Sequence, residues 1–202
     1  MGTGALILSA GESSRFGGQP KALLSIGPMS AVRRMAALCD ALELDPVLVV
    51  VGPHSAPISH ELRGLNAETV DSPRWFEGRT ASIQSGLWAM PPDHDVLFWP
   101  VDHPFVLRST IDALLRARDR DLIGVWFVPT FEDRGGHPVL WRPAVRPDIF
   151  DLRADAPLRS LLPEFGPQVL RVPVDDPGVV ANVDTPEEYR EALRDWEMRG
   201  GV

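Results

Sequence analysis

Several things are scarce or missing in this sequence of 202 residues. It has one cysteine, Cys39, and one lysine, Lys21, so 19 of its 20 basic residues are arginine. A single thiol excludes an internal disulfide and fits a reducing compartment. No uncharged run reaches the ~18 residues a membrane helix requires, and no basic-then-apolar signal segment opens the chain. The expectation is a cytoplasmic protein with no membrane partner. Positive charge is also in deficit: the formal net charge is −8, which argues against a nucleic-acid or anionic-membrane surface because both need a basic field. His54, His60, His94 and His103 show no metal-ligand spacing such as H-E-x-x-H, so a zinc hydrolase is unsupported.

What is present is the composition of a globular chain, 44% hydrophobic and 24% charged, of a length that suits a single domain over residues 1–202. Apolar runs alternate with amphipathic stretches. Gly4–Ser9, Val47–Val51 and Asp95–Val101 read as buried strands, with a further strand at 68–70. Pro28–Leu44, Ile58–Leu65, Gly78–Met90 and Arg108–Arg118 read as helices. This alternation implies an α/β fold, a three-layer sandwich with a mostly parallel sheet and helices on both faces. The rhythm then changes. Ile123–Pro129 and Pro138–Trp141, separated by the turn-rich 132–136, predict a hairpin and a small β-rich insertion around 123–142. A strand at 169–174 and a helix at Pro186–Arg199 close the chain. The six tryptophans are expected in the core, with Trp75 the exposed one.

The segment Ser9-Ala10-Gly11-Glu12-Ser13-Ser14-Arg15-Phe16-Gly17-Gly18-Gln19-Pro20-Lys21 follows the first strand directly. Its glycines and serines let backbone N–H groups turn inward, and Arg15 and Lys21 add fixed positive charge. Such a concavity at a strand's carboxyl end suits a triphosphate. It is not a dinucleotide fingerprint, since Ser13 stands two residues after Gly11, and not a Walker A loop, since Lys21 follows Pro20 and precedes Ala22. That the lone lysine falls here invites a lysine-specific role, a compact point charge where arginine offers a broad fork. Asp102 ends another strand, at the same rim, where a carboxylate could hold Mg²⁺. Thr185 and Pro186 are a sufficient cap for the last helix; they leave Asp184 unexplained.

The first loop resembles the L-x-A-G-x-S-x-R-x-G-x-x-x-K signature of nucleotidyltransferases related to the molybdopterin guanylyl- and cytidylyltransferases, a nucleotide-diphospho-sugar transferase-like fold. Leu8, Ala10, Gly11, Ser13, Arg15, Gly17 and Lys21 all fall in place. A second block, 71–87, is similar to the N-P-x-W-x-x-G-x-x-x-S-[IL]-x-x-G-[LI] stretch of the cytidylyl branch, with Asp71 and Ser72 departing from its opening. The resemblance implies that Gly78 starts a helix beside the nucleotide and that Ser82 meets base or sugar. It makes Asp102 a metal ligand through the family's Asp-x-Pro and Asp184 the second through D-x-D-T-P, where Asn182 replaces the first aspartate. The 134–140 stretch resembles a G-H-P-V element that brings His137 near the acceptor.

The implied activity is a Mg²⁺-dependent transfer of CMP from CTP to a molybdopterin-type acceptor, with Lys21, Arg15 and Asp102 catalytic and a molybdoenzyme as a further partner. Bulky Arg79 and Thr80 at the helix start are expected to leave less space for a purine than for a pyrimidine. Open alternatives are a GTP-dependent guanylyltransferase, a sugar-phosphate or phospholactate nucleotidyltransferase, a non-catalytic nucleotide-binding regulator (for which Asn182 is the clue), and, farthest, a nicotinamide-binding oxidoreductase.

Overall fold

A computed structural model describes residues 2–201. Ten strands and seven helices follow in chain order. The strands are β1 (Thr3–Ser9), β2 (Ser25–Ile26), β3 (Met29–Ser30), β4 (Val47–Val51), β5 (Glu68–Asp71), β6 (Asp95–Pro100), β7 (Trp126–Phe131), β8 (Arg134–Gly135), β9 (Val139–Trp141) and β10 (Val169–Pro173). The helices are α1 (Ala31–Asp40), α2 (Ser55–Glu61), α3 (Arg79–Ala89), α4 (Arg108–Arg120), α5 (Arg146–Asp151), α6 (Leu162–Phe165) and α7 (Pro186–Met198). None is long and apolar enough to cross a membrane.

An eight-stranded sheet runs in the order β10-β7-β9-β6-β1-β4-β5, with β8 paired to β7. β1 lies parallel to both β4 and β6, and β4 parallel to β5. β9 runs antiparallel between β6 and β7, so the β-rich segment of 123–142 is built into the main sheet. Its first strand begins at Trp126, not at Ile123. Leu122 and Ile123 are strongly exposed, in a turn where Asp121 Oδ1 accepts from the Ile123 and Gly124 amides.

The uniformly apolar strands are explained by burial on both faces. Along β1 and β4, Ala5, Ile7, Val47, Val49 and Val51 enter one core with α1, α2 and α4. Leu6, Leu8, Leu48 and Val50 enter the other, with α3 and α5. Cys39 lies in the first core, where burial, reinforced by the neighbouring Asp40 charge, pushes its thiol up to about 12. A third cluster packs Trp196 of α7 on Phe105, Ile26 and Val183, which brings the last helix back to the sheet edge.

The expected helix at 28–44 is shorter than its apolar pattern. Gly27, at φ +58°, turns a two-residue hairpin of β2 and β3. Ser30 then caps α1, its side chain accepting from the Arg33 amide at 3.3 Å. Trp75 is half-buried; the exposed tryptophan is Trp88, 78% accessible, on the outer face of α3 with its ring 5.0 Å from that of Phe150.

Helix α3 lies close to the sheet because Gly86 has no side chain. A Cβ there would stand 2.4 Å from Leu6 Cδ1 and 2.6 Å from Val50 Cγ2, and both partners are fully buried. Alanine normally favours a helix interior over glycine by ~1 kcal/mol, but overpacking a core costs ~1–3 kcal/mol. Gly86→Ala should therefore lose about 1 kcal/mol net, read as a lower denaturation midpoint in urea. A midpoint that rises would show that the helix does not depend on this close approach.

Candidate active site

β1, β4 and β6 all end at the same edge of the sheet, where ligands of parallel α/β folds bind. The loop after β1 curls there. Ser13 and Gly17 take left-handed backbone at either side of a single turn of 3-10 helix, Ser14–Phe16. The Ser13 hydroxyl accepts from the Lys21 amide at 3.1 Å, closing the loop on itself. Gly17 and Gly18 hold positive φ, and an added Cβ at Gly11 would meet nothing within 4 Å. The loop is thus open towards a cavity of about 300 Å³ that it lines together with Trp75, Gly78, Ser82, Asp102 and Asp184.

Sequence-distant groups converge on this cavity. Lys21 Nζ donates to Asp184 Oδ1 at 2.6 Å, and Arg15 Nη1 stands 3.5 Å from the same oxygen. Asp184 is brought in by a backbone bond from Val183 N to Asp102 O, 2.8 Å, and by the start of α7. There Thr185 and Glu188 form a capping box, and Glu188 also accepts from the Asp184 amide at 2.8 Å. Asn182 Nδ2 donates to Asp184 Oδ2 at 2.6 Å. In this structure Asn182 is therefore a partner of the carboxylate. Burial by itself would raise the Asp184 carboxyl, but the Lys21 hydrogen bond and charge, aided by Asn182, hold it below the usual range.

Asp102 is buried just past β6, reached through the bond from Val101 N to Leu8 O. The loop behind it is anchored twice. Arg34, half-buried and lowered to about 10 by desolvation, donates to the carbonyls of Pro104 and Val106 at 2.7 and 2.9 Å. Asp176 accepts from the Leu107 amide and the Thr110 hydroxyl at 2.8 and 2.7 Å. Desolvation would raise the Asp102 carboxyl, yet it is held well below the ordinary carboxylate range by His103, first through a hydrogen bond and then through charge, and by Arg79. His103 Nδ1 lies 3.0 Å from Asp102 Oδ1. Because an ionised carboxylate only accepts, the hydrogen is assigned to Nδ1. Arg79 Nη2 donates to Asp102 Oδ2 at 3.2 Å. Neither contact was readable from the sequence. The only signal was the Asp-His adjacency and an arginine at the start of a helix.

Three expectations need separate treatment. Gly78 does start α3, and its glycine has a structural reason as well. Its φ is +146°, and a Cβ would meet Ala154 O at 2.3 Å. That carbonyl caps the helix by accepting from the Thr80 and Ala81 amides, so those donors are not free for a ligand. Thr80 does not narrow the nucleotide cavity. It is buried, and its hydroxyl bonds Ala156 O at 2.5 Å, which leaves Arg79 as the bulky group at the helix start. Ser82 lies on the cavity wall, its hydroxyl accepting from Ser72 Oγ at 3.0 Å, so the serine that departs from the family's opening packs behind Ser82.

His137 lies apart from the first cavity, in an adjoining one of about 420 Å³ lined by Arg79, Asp102, His103, Arg134 and Asn182. Its ring meets that of His103 at 4.8 Å. Its Nδ1 has no hydrogen-bond partner, and desolvation, with the His103 charge, lowers it to about 3. It is neutral at physiological pH. Among the described residues no group of three or more His, Cys, Asp and Glu side chains is arranged to hold a metal alone. Two oxygen-donor carboxylates beside a phosphate-sized cavity fit a hard divalent cation that shares its coordination with substrate phosphates and water.

Comparison with known proteins places the fold. The fold is similar to that of a homologue, from Mycobacterium sp. strain JC1, of a Mycobacterium tuberculosis protein (TM-score 0.76, 24% identity, 98% of each chain covered). It is also similar to a nucleotidyl transferase from Methanothermobacter thermautotrophicus (TM-score 0.78, 19% identity, 98% of each chain), and to a Mycobacterium tuberculosis protein solved in complex with manganese (TM-score 0.73, 19% identity, 96% of this chain and 99% of that one). A comparison with curated proteins finds no match. The MobA-like NTP transferase domain matches residues 5–172, which covers the 9–21 loop, Gly78, Ser82, Asp102 and His137, and the chain belongs to this family of nucleotidyltransferases.

Proposed function

We propose that the chain transfers CMP from CTP to a phosphorylated acceptor of the molybdopterin type, releasing pyrophosphate, with a divalent cation, Mg²⁺, as cofactor. The observation that carries this reading is the convergence of Arg15, Lys21, Asp102 and Asp184, from three separate stretches of chain, on one rim cavity. Asp102 and Asp184 would hold the cation, which would supply charge neutralisation and orientation for the phosphates; manganese in a protein of the same fold supports a divalent ion. The amides of the 10–17 loop, with Arg15 and Lys21, hold the triphosphate. A phosphate oxygen of the acceptor, entering from the His137 side, attacks the α-phosphorus. The bond from that phosphorus to the oxygen bridging the β-phosphate breaks, and pyrophosphate leaves carrying the electron pair. No protein nucleophile is needed, so the residues act by positioning and by electrostatic preorganisation.

CTP is favoured over GTP by the form of the Gly78–Leu87 stretch, which keeps the cytidylyl-type spacing, and by Arg79 at the cavity mouth. A molybdoenzyme that receives the finished cofactor is the implied partner. The decisive experiment is pyrophosphate release from CTP, GTP, ATP and UTP against one molybdopterin-type acceptor. CTP should lead in kcat/KM by roughly ten- to hundredfold, the discrimination expected when one buried base-edge hydrogen bond is lost at ~1–3 kcal/mol. A GTP preference would move the chain to the guanylyl branch.

Removing either carboxylate tests the metal reading. Asp102→Ala and Asp184→Ala should each lower turnover by ~10²-fold or more while leaving circular dichroism unchanged. A folded Asp102→Ala protein of near-normal activity would take Asp102 out of the metal site.

Lys21→Arg keeps the charge, but a planar fork must replace an ammonium held 2.6 Å from Asp184 and 5.8 Å from the Phe16 ring centre. The exchange should lower kcat with little change in Tm. Full activity would end the case for a lysine-specific role.

A further inference from the structure

Every oxygen of the two carboxylates already has a partner. Asp184 Oδ1 carries Lys21 and Arg15, and Asp184 Oδ2 carries Asn182. Asp102 Oδ1 carries His103, and Asp102 Oδ2 carries Arg79. Each Asp102 oxygen keeps a second lone pair, but a cation approaching either one meets a partner already there, and the two partners differ greatly in freedom. The His103 side chain is 12% exposed. Its ring is wedged against His137, and its carbonyl accepts from Trp99 Nε1 at 2.8 Å. The Arg79 side chain is 61% exposed and hangs from the first residue of α3. It lines both cavities, the one that opens from the phosphate loop and the one that holds His137.

Resting on the metal reading of Asp102 given above, we infer that Arg79 is a phosphate-binding residue that exchanges partners. With the site free of ligand it occupies Asp102 Oδ2, and it moves to the phosphate charge where the two cavities meet when nucleotide and metal bind. The exchange makes metal and triphosphate binding mutually dependent. The metal alone must compete with a guanidinium for its ligand and gains nothing that relocates it. The metal with nucleotide offers the guanidinium a better partner, since a fork-shaped cation is suited to phosphate oxygens. The same charge that screens Asp102 at rest then stabilises the triphosphate. Coupling of this kind is reciprocal: whatever nucleotide does for metal affinity, metal does for nucleotide affinity.

The test uses Mn²⁺ as a spin probe and CTP as the nucleotide, with no acceptor, so that no turnover is required. Arg79→Met retains most of the apolar stem and removes the charge; because the residue is exposed, its Tm should match the parent's. In the absence of nucleotide, Mn²⁺ should bind Arg79→Met at least about threefold more tightly than the parent, the scale of losing a competing ion pair. At saturating Mn²⁺, CTP should bind the same variant roughly tenfold more weakly, the scale of one charge-assisted hydrogen bond. Arg79→Lys should fall between parent and Arg79→Met in both measurements. A residue with only a structural role would move both constants the same way or neither. Unchanged or weaker Mn²⁺ binding by Arg79→Met, or undiminished CTP affinity, overturns the exchange. Asp102→Ala separates the two levels of the argument. If it loses Mn²⁺ while Arg79→Met alters neither constant, the exchange alone fails. If it binds Mn²⁺ like the parent, the metal reading fails and the exchange with it.

Discussion

The site is organised around a charge problem: two carboxylates must stay ionised and close together while three cations crowd the same rim. Lys21 and Arg15 face Asp184, and Arg79 faces Asp102, so the five groups sum to one positive charge. Neither carboxylate could be left alone in this setting, because desolvation favours its neutral form. The influence of Asp102 is felt at Asp184, where it works to raise that carboxyl. The ion pairs offset both effects. They also keep the cavity from being a simple anion trap, because each cation is partly neutralised by a carboxylate.

Much of the fold beneath the rim serves to hold those two aspartates in register. Asp102 is reached by a fully buried strand, and the loop after it is tied down by Arg34 from α1 and by Asp176 from the stretch that leads to α7. Asp184 lies beyond the matched family region, yet it is tied to Asp102 through the Val183 amide and to Lys21 through its side chain. The Trp196 cluster packs the same helix against Phe105, three residues past Asp102. Two aspartates so far apart in sequence depend on such remote anchoring to face one cavity, since neither has a sequence neighbour that fixes it there.

How much of this was legible follows from the range of each interaction. The parallel strands were readable because burial on both faces leaves an uninterrupted apolar run, as in Val47–Val51. The closed turn of the 9–21 loop was readable because glycine, serine and a cation at fixed spacing are local chemistry, and Ser13 does bond the Lys21 amide across it. The Thr185–Glu188 cap was readable for the same reason. What escaped was tertiary. Nothing in the sequence around 79 says that its side chain reaches residue 102, or that Thr80 turns to Ala156 and away from the nucleotide cavity. Trp75 and Trp88 could not be ranked by exposure without knowing which face of α3 meets the sheet. Pro28 was absorbed into a helix because a two-residue hairpin carries no periodicity of its own.

His137 and His103 show how one residue type divides its work by environment. His137 shares the acceptor-side cavity, and desolvation together with the neighbouring His103 charge lowers it to about 3. Its neutral form is therefore favoured near neutral pH, and it offers one donor and one acceptor to whatever enters that cavity. His103, one residue from Asp102, is committed to the carboxylate. A cation at His137 would have opposed Arg79 and Arg134 for the same space, and burial removes that conflict. That cavity is thereby left with Arg79, Arg134, Asp102 and Asp184 as its permanent charges and a neutral imidazole as a polar contact among them.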